Sequence, residues 1–331
     1  MHQLKWLIWH ITNHCNLTCD YCLTSSSPAE PVGRGADLAH LADLVAEHGP
    51  SLVTIIGGEP FTLPLLPEVV NRLTRAGCRV NIDTNGMFVR HRWSSAYEHG
   101  DVKLTVSLDG PSSMHETFRG SAKGVTAGVQ FLLQKGARVA CSVTATRANI
   151  DHLPEAVLYV AGLGFSEISV NLVRPLGRGA RGGVRPTTEQ VARAGALLAT
   201  SMPLFKAQGL EVSTSGFYEP SLFALGSHVE LPLCMCATWK ATLWTDGRLY
   251  PCESMPLLNA DSGRSVFEGV NLETDIRSAL ATSVFDGWRR QVSKPPDCQS
   301  CSFRLYCSSG CRAQAAVLSG DVTVRDYDCV L

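Results

Sequence analysis

Through the first two-thirds of the chain, short apolar runs rich in β-branched residues alternate with longer stretches whose apolar positions recur every three or four residues. The runs are LKWLIWHIT (4–12), LVTII (52–56), RVNID (79–83), VKLTVSL (102–108), ARVACSVTAT (137–146) and EISVNLV (167–173). Their length and composition predict β-strands. The stretches between them predict helices over Asp37–His48, Pro64–Ala76, Gly124–Lys135 and Leu153–Leu163. Gly49, Gly77 and Gly136 stand where a residue in the left-handed region closes a helix. Six β-then-α units with near-continuous apolar strands predict a parallel sheet covered by helices, open or closed.

A Gly/Arg/Pro-rich segment, RPLGRGARGGVRP (174–186), reads as a mobile loop that touches an acidic substrate. A helix over Glu189–Gln208 and a strand LEVSTS (210–215) follow. From about Pro232 the texture changes to short strands and turns around one helical pattern, Asn271–Arg290. Eight of the thirteen cysteines fall in these last hundred residues, which places a domain boundary between 1–225 and 226–331.

The length of 331 residues suits two domains, and 45% hydrophobic with 18% charged residues is ordinary globular material. A formal net charge of −1 without a basic block excludes nucleic acid or an anionic membrane as an obligate partner. LKWLIWHI is too short an apolar run for a signal peptide or a membrane span, so the expected location is cytoplasmic. There, thirteen cysteines point to metal rather than to disulfides.

The first cluster, CNLTCDYC, sets Cys15, Cys19 and Cys22 directly after the first predicted strand. In parallel β/α folds the loops after strand C-termini form the active face. Three thiolates can hold three irons of a 4Fe–4S cluster and leave the fourth open to a reacting molecule. A zinc site completed by His10 or His14 is the bland alternative. The C-x3-C-x2-C spacing, with Tyr21 before the last cysteine, closely resembles the signature of radical S-adenosylmethionine (radical SAM) enzymes. That resemblance implies a partial (β/α)6 TIM-like barrel. It also implies that S-adenosylmethionine chelates the open iron and is cleaved by one electron to a 5′-deoxyadenosyl radical, which abstracts hydrogen from an unactivated carbon.

Further segments sit where the family has its binding motifs. GGEP (Gly57, Gly58, Glu59, Pro60) follows the second strand; in relatives it contacts the methionine ammonium. DTNG, with Thr84 and Asn85, ends the third strand and implies contact with the ribose or the methionine end. SLDG, with Ser107 and Asp109, ends the fourth, and His115 and Arg119 follow in MHETFRG. Ser107 and Arg119 are candidates to neutralise the cosubstrate carboxylate.

The C-terminal third carries Cys234 and Cys236, then Gly247 with Cys252 beyond it, then Cys298, Cys301, Cys307 and Cys311, and finally Cys329. This spacing resembles the SPASM extension of radical SAM enzymes, a small Cys-rich domain with two auxiliary 4Fe–4S clusters. The resemblance implies auxiliary cluster I on Cys252 and Cys311 with Cys234 and/or Cys236, and cluster II on Cys298, Cys301, Cys307 and Cys329. Two structural zincs are the rival reading. Glu253 stands where relatives such as anaerobic sulfatase maturases carry an acid acting as base, and Arg174 closes the sixth strand at the same mouth. Cys141, mid-strand, is a buried hydrophobe or a hydrogen donor to a substrate radical, and Cys78 a lesser candidate.

The family implies radical chemistry on a peptide or protein (crosslinking, epimerisation, side-chain oxidation), or alternatively on a small molecule such as an aminocyclitol, sugar or nucleoside. It implies an external reductant such as flavodoxin or ferredoxin. With the cluster motif beginning at Cys15 there is no room before it for a leader-recognition domain, which weakens the peptide reading without excluding it, since a separate leader-peptide-binding protein can supply that role. A non-catalytic iron–sulfur or zinc protein is the reading from a different class.

Overall fold

The computed structural model describes residues 4–32, 37–181, 183–217, 235–262, 267–272, 275–291, 295–302, 310–321, 323–326 and 329. Seven parallel strands form its frame: β1 (Trp6–Thr12), β2 (Leu52–Gly57), β3 (Arg79–Thr84), β4 (Val102–Ser107), β5 (Arg138–Ala145), β6 (Glu167–Leu172) and β7 (Glu211–Ser215). The helices are α1 (Leu38–His48), α2 (Leu66–Arg75), α3 (Ser112–His115), α4 (Ala122–Gln134), α5 (Leu153–Gly162) and α6 (Thr188–Ala207). Their ends follow from local chemistry. Asp37 caps α1 through the Ala39 and His40 amides, and Thr187 with Gln190 forms a capping box on α6. Gly49, Gly77 and Gly136 all take the left-handed conformation expected of them.

The sheet runs on past the seven. β8 (Lys240–Leu243) pairs parallel with β1, and β9 (Arg248–Tyr250) and β10 (Val270–Asn271) continue antiparallel, giving the order β10-β9-β8-β1-β2-β3-β4-β5-β6-β7. β1 is therefore an interior strand with β2 on one side and β8 on the other. Among the described residues the sheet does not close, which is the partial-barrel architecture expected.

Three expectations are corrected. The connection between β3 and β4 holds a short 3-10 turn (Ser95–Glu98) in place of a helix; Trp93 and Tyr97 pack edge-on there, with Trp93 also against Phe131 of α4. The single helix over Asn271–Arg290 is two, Ile276–Leu280 and Ser283–Gln291, separated at Ala281–Thr282. Thr282 turns its hydroxyl back onto the Ala279 carbonyl, the local bond by which such residues interrupt a helix. The strands are also not apolar throughout. Register places Leu7, Trp9, Val53, Ile55, Val80, Ile82, Leu104, Val106, Val143, Ile168 and Val170 on the buried face under the helices. The opposite, inner face carries His10, Thr54, Asn81, Asp83, Lys103, Thr105, Ser142, Ser169 and Asn171. That polar face is a lined cavity wall rather than a second packed core.

Candidate active site

The loop after β1 is fixed before any ligand arrives. The His14 amide donates to Thr12 Oγ1 at 3.1 Å and the Cys15 amide to the Ser27 carbonyl at 3.2 Å. The Cys22 amide donates to the Cys19 carbonyl at 3.1 Å, and the Leu17 amide points at Cys15 Sγ at 3.4 Å. Cys15 is buried, which pushes its thiol up to about 12; the charges of Cys19 and Cys22 oppose its ionisation further, a sign that the three thiols share one neighbourhood. Arg119 and Arg178 both act on Cys19 in the opposite sense. Cys15 and Cys19, both raised by burial, stay protonated until a metal displaces the proton. His10 and His14, the ligands of the zinc alternative, are engaged elsewhere. The His10 ring is stacked on Trp244 at 3.9 Å, and His14 Nδ1 donates to the Glu30 carbonyl at 2.6 Å.

The ends of the next three strands close around this loop. A side chain on Gly58 would begin 2.1 Å from the His14 carbonyl oxygen, so only glycine lets the GGEP turn lie flat on the cysteine loop. Glu59 is fully buried and gives both carboxylate oxygens to its own protein. Oε1 accepts from Thr84 Oγ1 at 2.8 Å and the Phe61 amide at 3.1 Å, and Oε2 accepts from the Asn85 amide at 2.7 Å. Burial pushes this carboxyl up to about 7 against those three donors. Asn85 in turn donates from its side-chain amide to Asn16, inside the cysteine motif, at 2.8 Å. Tyr21 donates to Asp109 Oδ2, and Arg119 Nη1 reaches Tyr21 Oη at 2.8 Å and Asp109 Oδ1 at 3.5 Å. His115 Nδ1 accepts from the Asp109 amide at 3.2 Å, and burial lowers that imidazole to about 4, so it is neutral. Ser107 lies at the C-terminal end of β4 on the inner face, paired with Ser142. Cys15, Cys19, Cys22, Tyr21, Gly57, Gly58, Glu59, Thr84, Asn85, Asp109 and Arg119 are thus brought together.

The segment read as a mobile loop is a strap on this site. Arg178 donates from its backbone to the Cys22 carbonyl at 3.0 Å, from Nε to the Cys19 carbonyl at 2.8 Å, and from Nη2 to the Ser26 carbonyl at 2.8 Å.

A second centre lies where β6 ends and β8 and β9 meet. Arg174 Nη1 donates to Glu253 Oε1 at 2.7 Å, and Lys240 Nζ to Glu253 Oε2 at 3.4 Å. Burial would raise Glu253, but the Lys240 and Arg174 charges overcome it and hold the carboxylate down at about 2. The expected proton acceptor is, in this state, the shared counter-ion of two cations. Cys236 and Cys252 are buried free thiols joined by a hydrogen bond, and Cys252 and Cys311 both lie within the electrostatic reach of Arg174. Asp326 ties Cys311 to Cys329: its Oδ2 accepts from the Cys311 amide and its carbonyl from the Cys329 amide at 3.1 Å. Cys298 and Cys301 share one turn, the Cys301 amide donating to the Cys298 carbonyl at 3.4 Å. Cys234 and Cys307 lie outside the described residues. Cys141 is fully buried on the helix-covered side of β5, its thiol donating to the Leu108 carbonyl at 3.5 Å; the parity of the strand points it away from the inner face, as a packed hydrophobe. Cys78 is likewise a buried core residue.

Residues 9–160 match the sequence profile of the Radical SAM superfamily. This chain carries a radical SAM domain. It is 25% identical to the AdoMet-dependent heme synthase of Methanosarcina barkeri over 98% of this chain and 95% of that protein. It is 24% identical to the PqqA peptide cyclase of Granulibacter bethesdensis over 98% of this chain and 87% of that one. Streptococcus suis SuiB, solved bound to the precursor peptide SuiA, shares the fold at a TM-score of 0.79 and 16% identity, across all of this chain and 77% of its own. Radical SAM enzymes work with S-adenosylmethionine and a 4Fe–4S cluster, and the donor set fits both. Cys15, Cys19 and Cys22 lie within electrostatic reach of one another, the GGEP turn on their loop admits only glycine at Gly58, and the buried Nε of Arg119 has no hydrogen-bond partner.

Asn16, Arg178, Lys240 and Asp326 were missed in the sequence. Only Arg178, bracketed by Gly177 and Gly179, carried a signal: glycines on both sides of a cation mark a backbone lying flat against something. Among the described residues, no helix is long and apolar enough to cross a membrane.

Proposed function

We propose that this radical SAM enzyme modifies a peptide or protein by abstracting hydrogen from an unactivated C–H bond, ending in a crosslink, an epimerised residue or an oxidised side chain. Cys15, Cys19 and Cys22 hold the cluster. When bound, cluster and cosubstrate together supply a 5′-deoxyadenosyl radical by one-electron cleavage of a carbon–sulfur bond. The glycines of GGEP let backbone carbonyls approach the methionine ammonium, while Glu59 locks that turn to Thr84 and Asn85. Ser107 and Arg119 receive the cosubstrate carboxylate, and Tyr21 with Asp109 keeps the guanidinium aimed.

Residues 226–331 form a SPASM domain in this reading. Cys252 and Cys311, with Cys236 and/or Cys234, hold one auxiliary cluster; Cys298, Cys301, Cys307 and Cys329 hold the other. Arg174 and Glu253 face the substrate between the two iron sites, and Glu253 takes a proton only after the substrate displaces Arg174 or Lys240 from it. A flavodoxin or ferredoxin in the cytoplasm supplies electrons, and a separate protein presents the leader of the precursor.

The supporting observation is the convergence of four consecutive strand ends, β1 to β4, on one cysteine loop, together with relatives named for peptide cyclisation. The test is anaerobic reconstitution followed by dithionite and S-adenosylmethionine, with peptides encoded beside the gene read by mass spectrometry. About twelve irons per chain are expected, falling to about eight when Cys15, Cys19 and Cys22 are all replaced by Ala, with loss of 5′-deoxyadenosine. Zinc in place of iron, or an intact sulfonium under reductant, overturns the reading.

One observation favours a second reading, a small-molecule substrate such as an aminocyclitol, sugar or nucleoside: the inner face is polar, with Lys103 of β4 paired across β5 to Glu167. It predicts that small polyols or nucleosides, and no peptide, raise 5′-deoxyadenosine formation.

A further inference from the structure

The short strap leaving β6 touches both cysteine-bearing regions. At its start Arg174 holds Glu253, next to Cys252; four residues on, Arg178 holds the loop of Cys15, Cys19 and Cys22. The grip of Arg178 has three points. Its amide meets the Cys22 carbonyl, and its planar guanidinium forks between the carbonyls of Cys19 and Ser26, one on each side of Cys22. A loop without regular structure must find partners for its backbone carbonyls, and one cation here serves carbonyls seven residues apart.

The neighbouring residues are shaped for this contact. Gly177 has φ +57°, and a side chain on it would begin 2.3 Å from the Leu23 carbonyl oxygen and 2.6 Å from that of Cys22. A side chain on Gly179 would begin 2.7 Å from the Arg174 carbonyl oxygen and 3.2 Å from that of Tyr21. Any larger residue on either side would lift the strap away. The clamped loop itself needs holding, since Ser25 within it sits at φ 54°, a conformation that persists for a non-glycine residue only when the surroundings impose it.

We propose that Arg178 is a positioning residue for the N-terminal iron–sulfur centre, holding the cysteine loop in its cluster-receiving shape and keeping a fixed positive charge beside it. This rests on Cys15, Cys19 and Cys22 being the cluster ligands. Groups that fix a ligand loop and set the local charge tune both metal retention and reduction potential. A nearby cation favours the reduced, more negative cluster, so Arg178 makes the centre easier to reduce.

The two effects separate by substitution. Arg178→Lys keeps the charge but cannot fork between two carbonyls; Arg178→Gln removes the charge and most of the grip. The full-length, anaerobically reconstituted chain is titrated with dithionite under EPR. The signal that changes on adding S-adenosylmethionine identifies the N-terminal cluster, and its decay under a fixed iron chelator gives the rate of loss. Arg178→Gln is expected to shift the midpoint to lower potential and to speed the loss roughly tenfold or more, the order expected when charge-assisted hydrogen bonds are removed. Arg178→Lys is expected to keep a midpoint near wild type while losing the cluster faster than wild type. A wild-type midpoint in Arg178→Gln, or wild-type loss rates in both variants, overturns the proposal. If Arg178→Gln fails to fold, the loss rate of Arg178→Lys decides. A wild-type chain with no such cluster overturns the ligand assignment instead.

Discussion

His10 shows what burial does to a single side chain. Its ring is fully buried and stacked on Trp244, neither nitrogen has a hydrogen-bond partner, and burial lowers its pKa to about 3. The unfolded imidazole titrates near 6.5, so between 6.5 and 3 the unfolded chain binds the extra proton. Stability is therefore full above pH 6.5 and falls as the pH drops, approaching roughly 1.4 kcal/mol per pH unit for one such group. His10→Phe keeps the stack and removes the two nitrogens. We expect the variant to match or exceed wild type at pH 7.5 and to lose less stability between pH 6.5 and 5.5, by urea unfolding under argon. Parallel losses in the two chains would place the acid sensitivity elsewhere, with His115 next in line. At this scale cysteines were legible, because their spacing is local and their chemistry narrow. His10 was not, since only Trp244, far along the chain, makes it a buried stacking partner.

At the scale of elements, two glycines that look alike in the sequence separate cleanly. Gly77 closes α2 at φ +83° with nothing within 4 Å of where a Cβ would sit, so Gly77→Ala meets only the left-handed strain, roughly 1 kcal/mol. Gly58 lies against backbone: a Cβ would stand 2.1 Å from the His14 carbonyl oxygen and 2.5 Å from its carbon. Gly58→Ala must lift the β2 turn off the cysteine loop, which costs about 1–3 kcal/mol for overpacking and opens the cluster site. Iron and sulfide content should survive Gly77→Ala and drop in Gly58→Ala; equal content in both refutes the cradle. Helix positions were readable from caps and periodicity. The 3-10 turn between β3 and β4 was not, because aromatic packing, which has no local signature, fills the place of a helix there. Nor was the strap, whose Gly/Arg pattern fits a free loop equally well until the cysteine loop is set beneath it.

For the molecule as a whole, the sheet binds the two ends of the sequence together. Alternation announced a parallel sheet of six β-then-α units but not its sequential strand order, and the inner face escaped notice because Ser, Thr and Asn in β-rich runs are read as strand formers before they are read as a lining. The pairing of β8 with β1 was invisible, since no local pattern reports a neighbour more than two hundred residues away. It has a mechanical corollary. A chain ending at Phe217 would leave one edge of β1 unpaired over Trp6–Trp9, and exposed strand edges recruit other chains. We expect residues 1–217 to aggregate on size-exclusion chromatography; a monodisperse 1–217 that binds iron would show that β8 is dispensable. The same pairing sets a timetable for the newborn protein. At ribosomal speeds of about 5–20 residues per second, Lys240 emerges roughly ten to fifty seconds after Trp6, its partner across the sheet. Until then the strand leading into Cys15 lacks half of its neighbours. Cluster delivery must therefore either wait for synthesis to finish or act on a half-built wall.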